Sequence, residues 1–487
     1  MGTLPSRRTL RIVSARDVNR IFPYLSTYIQ DPSAALYVEE LIIDAETWPR
    51  PSRFSKHDPP PPSEEESAIH NSIKEYLRTI GLSPDVTQQM IDAFTWKVTP
   101  GIDSDHHGFV NDRGYAAAAT VIFLSLCKNL THLQVYGVEY AYFIRDFLLA
   151  NNYGTLPSPA LQHLREVRIE SYTPQDSRSY DRAEFLEHFR YFGRLPAIES
   201  YTANACLEYQ INLDLTPPGT SNIRKISITN SDVGSQVLGS IIRVPRALEE
   251  FTFTAGGLAH FKGGSPVLLP KTLGKCLLEH KDTLRVIDMD IHNTLFGVLP
   301  DEEDVRDPYM EEDWDDENPD YRIDKYWRLD EASGNGKSAW SEDLEDTRAY
   351  GYTMGSLHDF VALESLSLPI TALLGPPRPP REGHYYYPRK ENTPPFRLVD
   401  ALPPNLKSLR LYDYQRGADA LWDEYVHELK EKMADKFPLL AVLEGVDEPC
   451  VANSQYGEEA GYDEIDPPPE VLKRNARWKE QYMTTEQ

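Results

Sequence analysis

One short string recurs along this chain and limits what it can fold into. It runs apolar residue, two residues of any kind, apolar residue, one of any kind, apolar residue. Leu130, Leu133 and Val135 form a clear copy, and Leu164, Val167 and Ile169 another. The series continues with Ile198/Tyr201/Ala203, Ile223/Ile226/Ile228, Leu248/Phe251/Phe253 and Leu284/Ile287/Met289, and closes with Leu363/Leu366/Leu368 and Leu406/Leu409/Leu411. Two further copies stand near the start: Val38/Leu41/Ile43, and Leu10/Ile12, where Arg7 replaces the first apolar residue.

The last two apolar positions are two residues apart, as in a short strand that buries alternate side chains. The first anchors the incoming turn. Between copies the sequence takes a helical period, as in the alanine-rich segment 114–128 and in segments 139–151 and 185–192. Helix, turn and strand repeated in that order predict an α/β leucine-rich-repeat solenoid, with a curved parallel sheet inside and helices outside. Central positions 133, 167, 201, 226, 251 and 287 are spaced by 34, 34, 25, 25 and 36 residues. That is near the leucine-rich-repeat range of about 20–29, stretched by longer helices. The solenoid is expected over residues 1–445.

With the phrases beginning at Arg194, Val244 and Leu402 (RLPAIES, VPRALEEF and LPPNLKSLRL), residues 8–445 resemble the fungal proteins that join an F-box to irregular leucine-rich repeats. The resemblance implies a repeat domain that recognises a protein. It covers the repeat part alone. An F-box would place a helical segment ahead of the first repeat, whereas here Leu4-Pro5 leads into a strand-like copy.

Two segments interrupt the repeats. Residues 47–66 are rich in proline and charge and read as a solvent loop, followed by helices over 64–80 and 84–97. The second, 298–351, is an acidic insertion. Its stretch from Asp301 to Asp320 holds twelve Asp or Glu and one base, Arg306. Residues 418–435 read as a helix capping the open end, which a repeat array needs for its last apolar layer. Residues 446–487 read as an acidic, partly disordered tail.

Lys plus Arg number 50 against 76 Asp plus Glu, a net charge of −26, which disfavours nucleic acid. No apolar run is long enough to predict a membrane span, and the first residues lack a secretory apolar core. A cytoplasmic or nuclear location follows. Met1 to Ser6 with Arg7-Arg8 fits a myristoylation pattern, though one this short arises readily by chance. The four cysteines are scattered without Cys-x-x-Cys spacing, so neither a disulfide framework nor a structural zinc site is expected. Cys127 and Cys276 read as packed thiols and His163 and His280 as turn residues.

No Gly-rich phosphate loop, nucleophile elbow or His-Glu-x-x-His pair occurs. The cluster Asp103, Asp105, His106 and His107 sits between glycines and reads as a loop. No catalytic residue, cofactor or metal site is therefore expected. If 133 and 135 point into the core, 134 and 136 face the concave surface. Along the copies this stripe gives Tyr136, Arg168, Glu170, Asn204, Asp288, Asp290, Arg410 and Tyr412 as candidate partner-binding residues, since Tyr and Arg dominate interface energetics. The function expected is a non-enzymatic scaffold that binds a protein of unidentified kind through that face. The alternative is a substrate receptor of a cullin–RING ubiquitin ligase with its F-box lost, cryptic or truncated; its partners would include the F-box-binding adaptor and a cullin.

Overall fold

Alternating apolar residues specify a strand only if something covers the side they share. In the computed structural model every copy of the string is a strand, and among the described residues the strand pairings are parallel. The structure describes residues 8–48, 64–95, 113–138, 141–170, 181–182, 185–204, 206–208, 217–255, 268, 270–291, 353–375 and 394–450. The Asp103–His107 cluster, all of the 298–351 insertion and most of the 47–66 loop and the tail lie outside them. The chain divides into two units: Met1–Thr173 with Glu187–Thr202, and Pro174–Leu186 with Ala203–Gln487.

The first unit opens with β1 (Thr9–Ile12), α1 (Ala15–Gln30), α2 (Pro32–Ala35) and β2 (Glu40–Asp44). It continues through α3 (Glu64–Ile80), α4 (Pro84–Thr95) and α5 (Arg113–Leu126) to β3 (His132–Tyr136), α6 (Tyr142–Asn152) and β4 (Glu166–Ile169). Leu10 pairs with Leu41, Leu41 with Leu133, and Leu133 with Val167, so the central positions of the string are in register. β2 and β3 are direct neighbours although 92 positions separate Leu41 from Leu133, and α3 and α4 fold outside the sheet. α5 has no charge after Arg113 and is buried from Tyr115 to Leu126. A helix apolar all round needs neighbours on every side, and α1, α2, α4 and α6 provide them.

Trp48 corrects the expected start of the first loop. It is buried, and its indole Nε1 donates to the Ile12 carbonyl at 2.8 Å, tying the turn after β2 back to β1. The last part of this unit holds most of α7 (Phe185–Phe192) and the start of β6 (Ser200–Asn204), where the Phe189 and Tyr201 rings stack at 4.5 Å. Buried Arg190 on α7 pairs with Glu187 at 2.8 Å, so its charge is compensated.

The second unit has β5 (Asp181–Arg182), the end of β6, β7 (Cys206–Glu208), β8 (Lys225–Val233), α8 (Ser235–Arg243), β9 (Glu250–Ala255), α9 (Pro270–Leu278) and β10 (Val286–Asp290). Then come β11 (Ser365–Pro369), α10 (Ile370–Leu374), α11 (Leu398–Ala401), β12 (Ser408–Tyr412), α12 (Ala420–Lys436) and β13 (Val442–Glu444). Ile226, Phe251, Ile287, Leu366, Leu409 and Leu443 pair in succession. β8 slips register between Ile228 and Ser231, where Asn230 takes φ +49°, and its far half pairs with β7. Val446 is buried and Cys450 bridges Tyr412, so ordered chain runs past the boundary expected at 445.

One backbone arrangement repeats in both units. The carbonyl two residues before most of the central apolar positions accepts two N–H groups from the next strand. Arg8 O takes Glu39 and Glu40 N, Glu39 O takes Thr131 and His132 N, and Thr131 O takes Arg165 and Glu166 N. In the second unit Arg224, Glu249, Arg285, Glu364 and Lys407 do the same for the strands that follow them. In the second unit the side chains at these carbonyls alternate in sign, and three of the four neighbouring pairs are bonded: Arg224 with Glu249 at 2.6 Å, and Glu364 with Arg285 at 3.3 Å and Lys407 at 3.0 Å.

Candidate functional site

Alternation along each strand places Leu133, Val135, Phe251, Phe253, Leu409 and Leu411 in the core, and the residues between them on the other face of the sheet. Parallel register lines those residues up from strand to strand. In the second unit Ser227 pairs with Thr252, Thr252 with Asp288, Asp288 with Ser367, Ser367 with Arg410, and Arg410 with Glu444. One polar side chain per strand thus stands at the sheet spacing of about 4.8 Å. Ser227, Thr252, Asp288 and Arg410 are half-buried, Ser367 is buried and Glu444 is exposed. A second row, two residues further along each strand, holds Thr254 beside Asp290 and Pro369 beside Tyr412.

The structure brings Asp288, Asp290, Arg410 and Tyr412 together. The Tyr412 hydroxyl donates to Asp288 Oδ1 at 2.8 Å, reaching across the intervening β11. Burial, and then the negative charge of Asp288, pushes the Tyr412 phenol well above its ordinary value, so it remains a donor at any physiological pH. Arg410 Nε donates to Glu444 Oε2 at 2.6 Å.

Exposure corrects part of the expected stripe. Tyr412 and Asp290 are 2% and 1% exposed, so neither presents a free side chain to a partner. Their row lies at the C-terminal ends of the strands. Tyr412 instead holds Asp288 in place, and the row carrying Asp288 and Arg410 is the more accessible one, although Ser367 within it is buried.

Asn204 belongs to the same unit. Its Oδ1 accepts from Thr229 Oγ1 at 3.0 Å and from Asn230 Nδ2 at 2.8 Å, while the Asn230 backbone N–H reaches Thr254 Oγ1 at 2.8 Å. These bonds hold the bulge in β8, so Asn204 is committed to the backbone irregularity beside it.

In the first unit the candidates are Tyr136, Arg168 and Glu170. Arg168 pairs with Glu166 of its own strand at 2.5 Å and keeps 40% of its side chain exposed. Tyr136 is half-buried, in register with Asp44. Glu170 is buried, and its carbonyl accepts from Gln134 Nε2 at 3.2 Å. It is a less accessible candidate than Arg168.

Glu444 is the face residue that sequence reasoning missed. Leu440 and Leu443 supply the first two apolar positions of the string, but the third is Gly445. At φ +81° a Cβ on Gly445 would stand 2.0 Å from the Leu411 carbonyl oxygen, so no apolar side chain fits. The first two positions alone carried the signal.

Two other readings change or gain detail. His280 does lie in a turn, but it is buried and bonds two backbone groups. Cys127 and Cys276 are packed, and burial pushes both thiols up to about 12. Among the described residues no group of three or more His, Cys, Asp and Glu is placed to hold a metal ion, and no helix is long and apolar enough to cross a membrane. No known protein-family model matches the chain, and no curated protein matches it.

Proposed function

We infer that the chain is a non-enzymatic binding protein that holds a protein partner on the polar face of its parallel sheet, with Ser227, Thr252, Asp288, Arg410 and Glu444 as the main contact and buried Ser367 between them. The observation that supports this reading is the register itself. Five successive pairings set short hydroxyl and charged side chains in one line, while the other face of the same strands is apolar and covered. Short side chains lose little rotamer entropy on contact, and a row with one group per strand suits an extended surface better than a small molecule. Arg410 is the residue of this row best suited to anchor a contact, and Glu444 holds its guanidinium in place.

The test is capture of partners from a native extract by the full chain, beside two variants. Ser227→Arg with Thr252→Arg places bulk on the face; Glu431→Ala with Asp435→Ala changes exposed positions of α12. A partner kept by the wild type and the α12 variant but lost with the face variant is the expected result. A captured set that ignores the face substitutions, or an empty one, overturns the reading.

A further inference from the structure

One imidazole ties together three pieces of the second unit: the C-terminus of α8, the turn before β9, and the turn between α9 and β10. His280 is 4% exposed. Its Nδ1 accepts the Leu248 backbone N–H at 3.3 Å, and its Nε2 lies 2.7 Å from the Ile242 carbonyl oxygen. These contacts fix the proton. A nitrogen that accepts an N–H carries no hydrogen, and a carbonyl can only accept, so the ring is neutral with its hydrogen on Nε2. Thr283 reinforces the junction, its hydroxyl donating to the Leu248 carbonyl at 2.8 Å.

We propose that His280 is an acid-released clasp, whose protonation frees the turn before β9 from the turn after α9 while the rest of the unit stays folded. A second ring hydrogen, on Nδ1, would point at the Leu248 N–H. Donor would face donor, the bond would be lost, and a cation would be left buried.

The surrounding charges favour the neutral ring. On α8, Arg243 has a side chain 4% exposed and pairs with Glu279, which follows α9, at 2.8 Å. On α9, Cys276 is held as a neutral thiol and Lys275 adds a further cation. Next to the ring, Lys281 and Asp282 are exposed. In the turn before β9, Arg246 bonds the Gly219 carbonyl and Asn222, and Glu249 pairs with Arg224. Burial first, and Arg243 as well, hold the ring below its ordinary 6.5, against the Ile242 hydrogen bond, which raises it.

The sign follows from proton uptake. The opened junction takes up its proton near 6.5 and the closed clasp only at lower pH. The clasp is therefore fully effective above about 6.5 and weakens as the pH falls below that value, its opening constant rising by up to about tenfold per pH unit.

Hydrogen exchange followed by mass spectrometry on the full chain, corrected for the intrinsic effect of pH, reads this directly. Between pH 7 and 5, peptides covering 242–250 and 277–286 should lose protection while those covering 363–375 keep it. His280→Gln retains a donor and an acceptor but does not titrate, and should remove the pH dependence. Nitrogen shifts of labelled histidine in the wild type, with His280 assigned by its loss in that variant, should report the Nε2–H tautomer at pH 7. Unchanged protection at pH 5, pH dependence that persists in His280→Gln, or an Nδ1–H ring at pH 7 would each overturn the proposal. If the variant does not fold, the wild-type exchange profile still decides, since protection that is uniform across the unit at pH 5 rejects a local clasp.

Discussion

Gly274 in α9 faces the Met354 backbone, and a Cβ there would stand 1.8 Å from the Met354 carbonyl oxygen. Met354 cannot retreat freely, because its own N–H is bonded to the Ala372 carbonyl at 2.8 Å. Gly274→Ala should therefore destabilise by about 1–3 kcal/mol or more, read as a lower denaturation midpoint with unchanged slope. Two other glycines separate strain from space. Gly417 has φ +87° with nothing near its would-be Cβ, whereas Gly445 has φ +81° and the Leu411 carbonyl at 2.0 Å. Alanine at 417 should cost only the left-handed penalty of about 1–2 kcal/mol, and alanine at 445 clearly more; equal losses would mean that the close approach is absent. Among thiols, half-exposed Cys450 should react with an alkylating agent in the native protein, and Cys127 and Cys276, pushed up to about 12, only after unfolding. At this scale the sequence was legible for polarity and much less so for exposure. The spacing put Asp288, Asp290, Arg410 and Tyr412 on one face, but alternation alone does not say which of them the rest of the fold covers.

Helices and strands were legible wherever a uniform period ran unbroken. The segments at 64–80, 185–192 and 420–436 are helical, the first two within the limits that the period sets and the third shifted by a residue or two. α1 is not among the helices expected from the sequence; Pro23 lies inside it, and proline removes a helix hydrogen bond. Its start is nonetheless well marked. The Ser14 hydroxyl accepts the Asp17 N–H at 3.1 Å, and Asp17 Oδ2 accepts the Val13 N–H at 3.1 Å, a reciprocal cap. Ser14→Ala should cost about 1 kcal/mol, and Ser14→Asp, which keeps an acceptor, much less; thermal melts of the two variants compare them. β13 escaped notice for the opposite reason, because steric contact with Leu411 demands a glycine where the string has an apolar residue.

The molecule as a whole is ordered by register more than by sequence distance. β2 finds β3 across the longest described gap in the first unit because both present the same apolar alternation and the same doubly bonded carbonyl at their start. Nothing in the string itself says where one unit ends, since two of the boundaries fall inside α7 and β6. Charge at the strand starts adds a second code. The Glu364 carboxyl is held below its ordinary value by Lys407 and then Arg285, so its contribution is full above about pH 4.5 and is lost as the pH falls through its folded value. Glu364→Lys sets three cations side by side. It should lower the melting temperature at low salt, with the deficit shrinking in high salt; a deficit that salt does not change would assign the loss to packing.

The alternation of Arg224, Glu249, Arg285, Glu364 and Lys407 bears on how such an array grows. Removing one repeat from this series brings two charges of the same sign together, as Arg224 would meet Arg285. Removing two consecutive repeats restores opposite neighbours, as Arg224 would meet Glu364. Insertion by duplication obeys the same rule. Parity, a property of the count and of no single unit, thus becomes something selection can act on: lineages that gain or lose repeats in even numbers keep every junction matched, while an odd change leaves one repulsive seam until a further substitution repairs it.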